Sequence, residues 1–225
     1  VSSEQTGPAE AGKYRLVDHK PMRILLAEDN VVNQKIIARM LEHLGYQADV
    51  VKNGVEVLQA INREKYDVIL MDVQMPEMDG LNAARCIRQS QAKEAQPWII
   101  AMTGNVTREA QAAGLAAGMD DYLFKPVRME ELGRALQKYQ PAPIVESHTD
   151  AAVVEPEPAG LDLSIFNQIS GGDEQFIADI LETFSRDGMN LLDTMRQAIV
   201  ENNAGSLRLV AHSLKSMSAG FGALR

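Results

Sequence analysis

Five residues of this chain that can do chemistry share one kind of position. Glu28 and Asp29 follow the apolar run RILLA (23–27), Asp72 follows DVILM (67–71), Thr103 follows WIIAM (98–102) and Lys125 follows DYLF (121–124). Each run reads as a short buried strand. Carboxyl ends of parallel strands share one rim, where open α/β sheets bind ligands. Three carboxylates gathered there repel unless a cation neutralises them. An all-oxygen set with open positions suits Mg²⁺, which keeps several waters and takes one or two carboxylates plus a phosphate. Mn²⁺ shares that preference for oxygen. Lys125 adds a point positive charge and Thr103 a hydroxyl. Together these groups suit phosphoryl transfer, with one carboxylate able to act as nucleophile and form an acyl phosphate. Singly, each residue has a plainer reading: Asp29-Asn30 as a helix cap, Asp72 as a loop acid, Lys125 as a solvated charge.

A sixth candidate lies near the far end, in "AHSLKSMSAGFGALR" (211–225). Imidazole is a competent phosphoryl acceptor near neutral pH. Leu207, Val210, Leu214, Met217 and Phe221 alternate steps of three and four, an a/d seam that faces partner helices. In that register His212 falls at the outermost position. Lys215 and Ser216, three and four residues on, flank it on a face expected to meet solvent. His19, His43 and His148 lack such surroundings and read as linker or surface residues.

The elements that must position these groups follow from pattern. From Met22, apolar runs alternate with helical patterns at 32–44, 54–64, 80–91, 107–117 and 129–139. Val32, Ile36, Met40 and Leu44 form the clearest stripe. Five strands alternating with five helices predict a parallel sheet covered on both faces, and right-handed crossovers make it a doubly wound α/β domain. Residues 1–21 read as a linker, 22–139 as the α/β domain, and the proline- and acid-rich 140–160 as a second linker. Residues 161–225 read as helical, with long helices over 173–200 and 204–220.

Composition narrows the function classes. Apolar residues make up 45% and charged residues 24%, as in ordinary soluble proteins. The net charge is -9, of which residues 140–225 carry -7. So acidic a segment is a poor partner for phosphate backbones, so no nucleic-acid partner is expected. No apolar run approaches the ~20 residues that cross a bilayer, so no direct membrane contact is expected. The polar start carries no signal-peptide pattern. The one cysteine, Cys86, fits a reducing compartment and reads as a half-buried helix residue.

Two stretches resemble known families. "ILLAEDNVVNQ", "DVILMDVQMPEMDG", "IIAMTGN" and "GMDDYLFKPV" resemble the response-regulator receiver domain over roughly 22–139. The resemblance implies a flavodoxin-like five-stranded sheet in the order 2-1-3-4-5. It implies Asp72 as phosphoacceptor and Glu28, Asp29, Asp72 and the backbone carbonyl of Gln74 as metal ligands. It implies phosphoryl contacts from Thr103 and Lys125, and a switch pair in Thr103 and Tyr122. A cis peptide at Lys125-Pro126 is expected. Gln74 and Asn105, each two residues beyond a site residue, are expected to set the lifetime of the acyl phosphate. The first block is similar to receivers fused to hybrid sensor kinases.

"AHSLKSMSAGFGA" resembles the histidine-phosphotransfer domain, through His212, Leu214, Lys215, Ser218, Gly222 and Ala223. Ser216 stands where that family usually has glycine. The domain is a four-helix bundle, and the pattern here supplies its first half. Its seam is therefore expected to be open, exposing Phe184, Leu207, Val210 and Leu214. The whole reads as the C-terminal part of a bacterial hybrid sensor histidine kinase, cytoplasmic, its parent anchored in the inner membrane. The relay would run from the kinase core's histidine to Asp72, to His212, then to a downstream response regulator. The chain shows no ATP-binding segment and is expected to act as a phosphoacceptor module. The rival readings are a phosphate sink or allosteric switch with His212 inert, and a flavodoxin-like flavin or nucleotide site. The second lacks a phosphate-cradling glycine loop.

Overall fold

A computed structural model describes residues 22–104, 107–139 and 169–220. The expected linkers 1–21 and 140–160 lie outside the described residues.

Five strands, β1 (Ile24–Ala27), β2 (Ala48–Val51), β3 (Val68–Asp72), β4 (Trp98–Thr103) and β5 (Asp121–Phe124), form one sheet in the order β2-β1-β3-β4-β5. Every neighbouring pair is parallel. Four α-helices intervene, α1 (Val31–His43), α2 (Gly54–Arg63), α3 (Gly80–Ser90) and α4 (Arg108–Ala117), and α5 (Met129–Lys138) follows β5. Side chains alternate along each strand, so each strand feeds two cores. Ile24, Leu26, Val68, Leu70, Ile100 and Met102 pack with α1 and α5. Leu25, Ala27, Ile69, Met71, Ile99 and Ala101 pack with α2 and α3 and the end of α4. This two-sided burial is why the inner strands read as continuous apolar runs. The edge strand β2 is the least buried.

Sequence-local caps fix the helix starts. Asn30 accepts from the Val32 and Asn33 amides, Asn53 from Glu56, Asp79 from Asn82 and Thr107 from Ala110. Gly118 closes α4 in the left-handed conformation, φ 90°. The Lys125-Pro126 peptide is cis.

Two further helices, α6 (Glu174–Val200) and α7 (Ala204–Gly220), are joined by a three-residue turn into a hairpin. Here the structure corrects two expectations. The seam is covered in part rather than open, and Leu207 is half-buried. Val210 and Met217 are buried, and Phe184 and Leu214 are partly buried against the core that α1 shares with Ile169, Ile180 and Met217. Nor does the His212 face wholly meet solvent: Lys215 is exposed, but His212 is half-buried and Ser216 buried. The face is outward from α6, as the heptad register requires, but it turns onto the α/β unit. Helical periodicity fixes which face opposes the partner helix and is silent about a third element.

Polar contacts pin this docking. Arg39 donates to Asp173 at 3.1 Å and lies 5.2 Å from the Phe176 ring, and Lys35 donates to Thr183 at 2.9 Å. Among the described residues no helix is long and apolar enough to cross a membrane.

Candidate functional site

The parallel ladder delivers the site. Its hydrogen bonds run one residue past the strands: the Glu28 amide donates to Val51, Val73 to Met102 and Lys125 to Thr103. Glu28, Asp72, Thr103 and Lys125 therefore emerge together. One carboxylate oxygen each from Glu28, Asp29 and Asp72 lies within 4.8 Å of the others. Octahedral Mg²⁺ holds its ligands about 2.1 Å from its centre and at most about 4.2 Å apart, so the triad would close on the ion with a small inward movement of its oxygens.

Lys125 crosses the triad. Its Nζ donates to Glu28 and Asp72, both at 2.6 Å. The Asp72 carboxylate also accepts from the Gln74 amide at 3.1 Å. Burial pushes the Asp72 carboxyl above its ordinary range, and Lys125 and the Gln74 amide oppose this. Burial likewise raises Glu28, against Lys125 and Asn33. Asp29 is pushed up to about 6, first by burial and then by Glu28. Burial alone would lower Lys125, but its two carboxylates outweigh burial and hold it above its ordinary value. The site is a concentration of negative charge with one internal cation, primed for a second.

A cavity of about 400 Å³ opens above Asp72. Gln74, Thr103, Tyr122 and Lys125 line it from the α/β unit; His212, Lys215 and Ser216 line it from α7. Tyr122 is half-buried, and its hydroxyl donates to the Gln111 carbonyl at 2.5 Å. His212 is half-buried, and its Nε2 has no hydrogen-bond partner among the described residues. Burial, then Lys125, lowers its pKa below 6.5, which favours the neutral imidazole. Lys215 is exposed, Ser216 is buried and Ser218 is half-buried. Asn105 lies outside the described residues.

Sequence reasoning missed three supports. Asn33 donates to Glu28 at 2.9 Å and Gln34 to the Glu28 carbonyl at 2.6 Å. Both sit in the first turn of α1, so their spacing from Glu28 was the available signal. A Cβ at Gly80 would lie 2.2 Å from the Asp72 carbonyl oxygen, so only glycine lets α3 start this close to the acceptor strand.

Comparison with known proteins gives two family matches. Residues 24–137 match the model described as "response regulator receiver domain", and residues 179–225 match the Hpt domain. Histidine protein kinase 1 of Candida albicans is 44% identical over 135 residues, 56% of this chain and 6% of that protein. Sensor histidine kinase GacS of Pseudomonas protegens is 34% identical over 184 residues, 79% of this chain and 20% of that protein. A crystal structure of a sensor histidine kinase receiver domain from Pseudomonas aeruginosa, with magnesium in its active site cleft, is 42% identical. It covers 53% of this chain and 98% of that chain, with a TM-score of 0.49. The chain thus spans a small part of the curated kinases it matches. Because fungal and bacterial kinases both match, the likeness does not assign the source to bacteria.

Proposed function

Because this chain belongs to the response regulator receiver family, with an Hpt segment behind the receiver, we propose that Asp72 takes a phosphoryl group from a kinase histidine and hands it to His212. Phosphorelay signal transduction is the function that this pair of domains serves in hybrid histidine kinases. The observation that supports the specific route is that Asp72 and His212 line one cavity.

In the transfer, the Nε2 lone pair of neutral His212 attacks phosphorus. The bond from the Asp72 carboxylate oxygen to phosphorus breaks, and the electron pair returns to the carboxylate. Lys125, already hydrogen-bonded to Asp72, neutralises the charge that develops on the oxygens, with Thr103 beside it. Glu28, Asp29 and Asp72, with the Gln74 backbone carbonyl, would hold Mg²⁺ or Mn²⁺, which would neutralise the carboxylates and the phosphoryl oxygens. Tyr122 and Thr103 line the same cavity and form the switch pair of this reading. Gln74 and Asn105 tune the lifetime of the acyl phosphate. The donor is the histidine of a kinase core in the parent protein, the acceptor beyond His212 is a separate response regulator, and both act in the cytoplasm.

The test is phosphorylation of the 225-residue chain by acetyl phosphate with Mg²⁺. Label released by hydroxylamine, and absent from Asp72→Asn, is expected. No incorporation, or incorporation that survives the substitution, overturns the reading.

A further inference from the structure

Ser216 lies one turn beyond His212 on the same face of α7, and it is buried at 7% exposure. Its hydroxyl accepts from Asn33 Nδ2 at 2.9 Å and from Lys125 Nζ at 3.3 Å. Asn33 also donates to one Glu28 oxygen at 2.9 Å, and Lys125 to the other at 2.6 Å. The four side chains close a ring: Glu28, Asn33, Ser216, Lys125 and back to Glu28. Three members belong to the receiver, and only Ser216 comes from α7.

Donor arithmetic makes the hydroxyl necessary. An ammonium has three donors, and those of Lys125 reach Glu28, Asp72 and Ser216. A carboxamide has two, and those of Asn33 reach Glu28 and Ser216. Without the hydroxyl, one donor on each would be left unpaired in a buried place, which costs more than the bond itself returns. The ring also sets register. A slide of α7 along α1 by one residue would carry Ser216 away from both donors, and His212 away from Asp72 with it.

We infer that Ser216 is a positioning residue for phosphoryl transfer, its hydroxyl locking α7 into the register that holds His212 over Asp72. The inference rests on the Asp72-to-His212 reading. Ser216 touches neither the reacting nitrogen nor the phosphorus. It acts by linking the His212 helix to the lysine that Asp72 holds.

The test is a double-mutant cycle in the full chain. Ser216→Ala, Asn33→Ala and the double variant are each loaded at Asp72 from acetyl phosphate with Mg²⁺. The acyl phosphate is followed by hydroxylamine lability, and the histidine phosphate as acid-labile, base-stable label. Ser216→Ala is expected to slow the transfer about tenfold, the loss of one charge-assisted hydrogen bond. Loading of Asp72 in Ser216→Ala should stay within about twofold, since that step needs no α7, and this also verifies folding; Asn33 supports Glu28, so the transfer step of Asn33→Ala is timed from its own loaded Asp72. The two substitutions should be markedly less than multiplicative, because either one opens the ring. In nuclear magnetic resonance spectra the Asn33 side-chain amide signals should move on Ser216→Ala. Transfer at the unaltered rate in Ser216→Ala, or fully multiplicative effects, overturns the inference while leaving the relay intact. An unsubstituted chain that loads Asp72 but never yields histidine phosphate overturns the relay reading, and the inference falls with it.

Discussion

Among the described residues, Lys125 is the only cation inside the buried group of carboxylates, and replacing it tests the electrostatics of the site. Its side chain is 7% exposed, against 0% for Glu28 and 3% for Asp72. Lys125→Met keeps the length of the stem and removes the charge. Breaking a buried pair by removing one partner costs about 3–5 kcal/mol, because the other charge is left uncompensated. The cost here has a definite pH dependence. The Lys125 ammonium is raised above its ordinary value, so its stabilisation is fully present throughout pH 5 to 8. The carboxylates it leaves behind are already raised, and without Lys125 they rise further. Near pH 5 they escape the penalty by holding protons; near pH 8 they do so only against the free energy of protonation. The loss is therefore expected to be larger at pH 8 than at pH 5. Mg²⁺ should restore part of it, about 2.7 kcal/mol at one hundred times the dissociation constant. The assay is denaturant unfolding followed by the single tryptophan, Trp98, which begins β4 at the end remote from the site. Equal losses at both pH values, with no recovery in Mg²⁺, would refute the reasoning.

Three further expectations can be checked separately. With Asp29 at about 6 against an ordinary 3.8, the folded chain binds more protons between those values; metal-free stability should fall as pH rises from about 4 to about 6, by at most about 3 kcal/mol, and a flat profile in denaturant melts would contradict it. Arg39→Ala removes a partly exposed ion pair and a ring contact, together about 1–2 kcal/mol, and should shift docking of the α6–α7 hairpin five- to thirty-fold toward release; an unaltered scattering profile and unaltered protease sensitivity would count against it. Replacing Gln74 should change the dephosphorylation rate of Asp72 severalfold, and an unchanged rate would remove its tuning role.

The sheet was readable because its inner strands are buried on both faces. The apolar runs at 24–27, 68–71 and 98–102 had no competing helical period, and each led straight into residues that can do chemistry. The helical patterns at 54 and 80 began where the structure shows Asn53 and Asp79 capping α2 and α3, and Asn30 was the one cap the sequence offered. What was not readable is how one unit meets another. Heptad indexing placed His212 and Ser216 away from α6 correctly, yet whether that face meets water or the receiver depends on Lys35, Arg39 and Asn33 of α1, 134 to 183 residues earlier in the chain than their partners. Gly80 was hidden for a related reason: its role is a close approach to a strand, which no local pattern records.

The central claim is that Asp72 and His212 face one another within one chain. The direct measurement is the order of the reaction, with Asp72 loaded in a single turnover and the appearance of base-stable histidine phosphate timed over a hundredfold range of chain concentration. The account predicts a rate independent of concentration, with no histidine phosphate in Asp72→Asn and only acyl phosphate in His212→Gln. A rate that rises in proportion to concentration, or histidine phosphate that forms without Asp72, would contradict it.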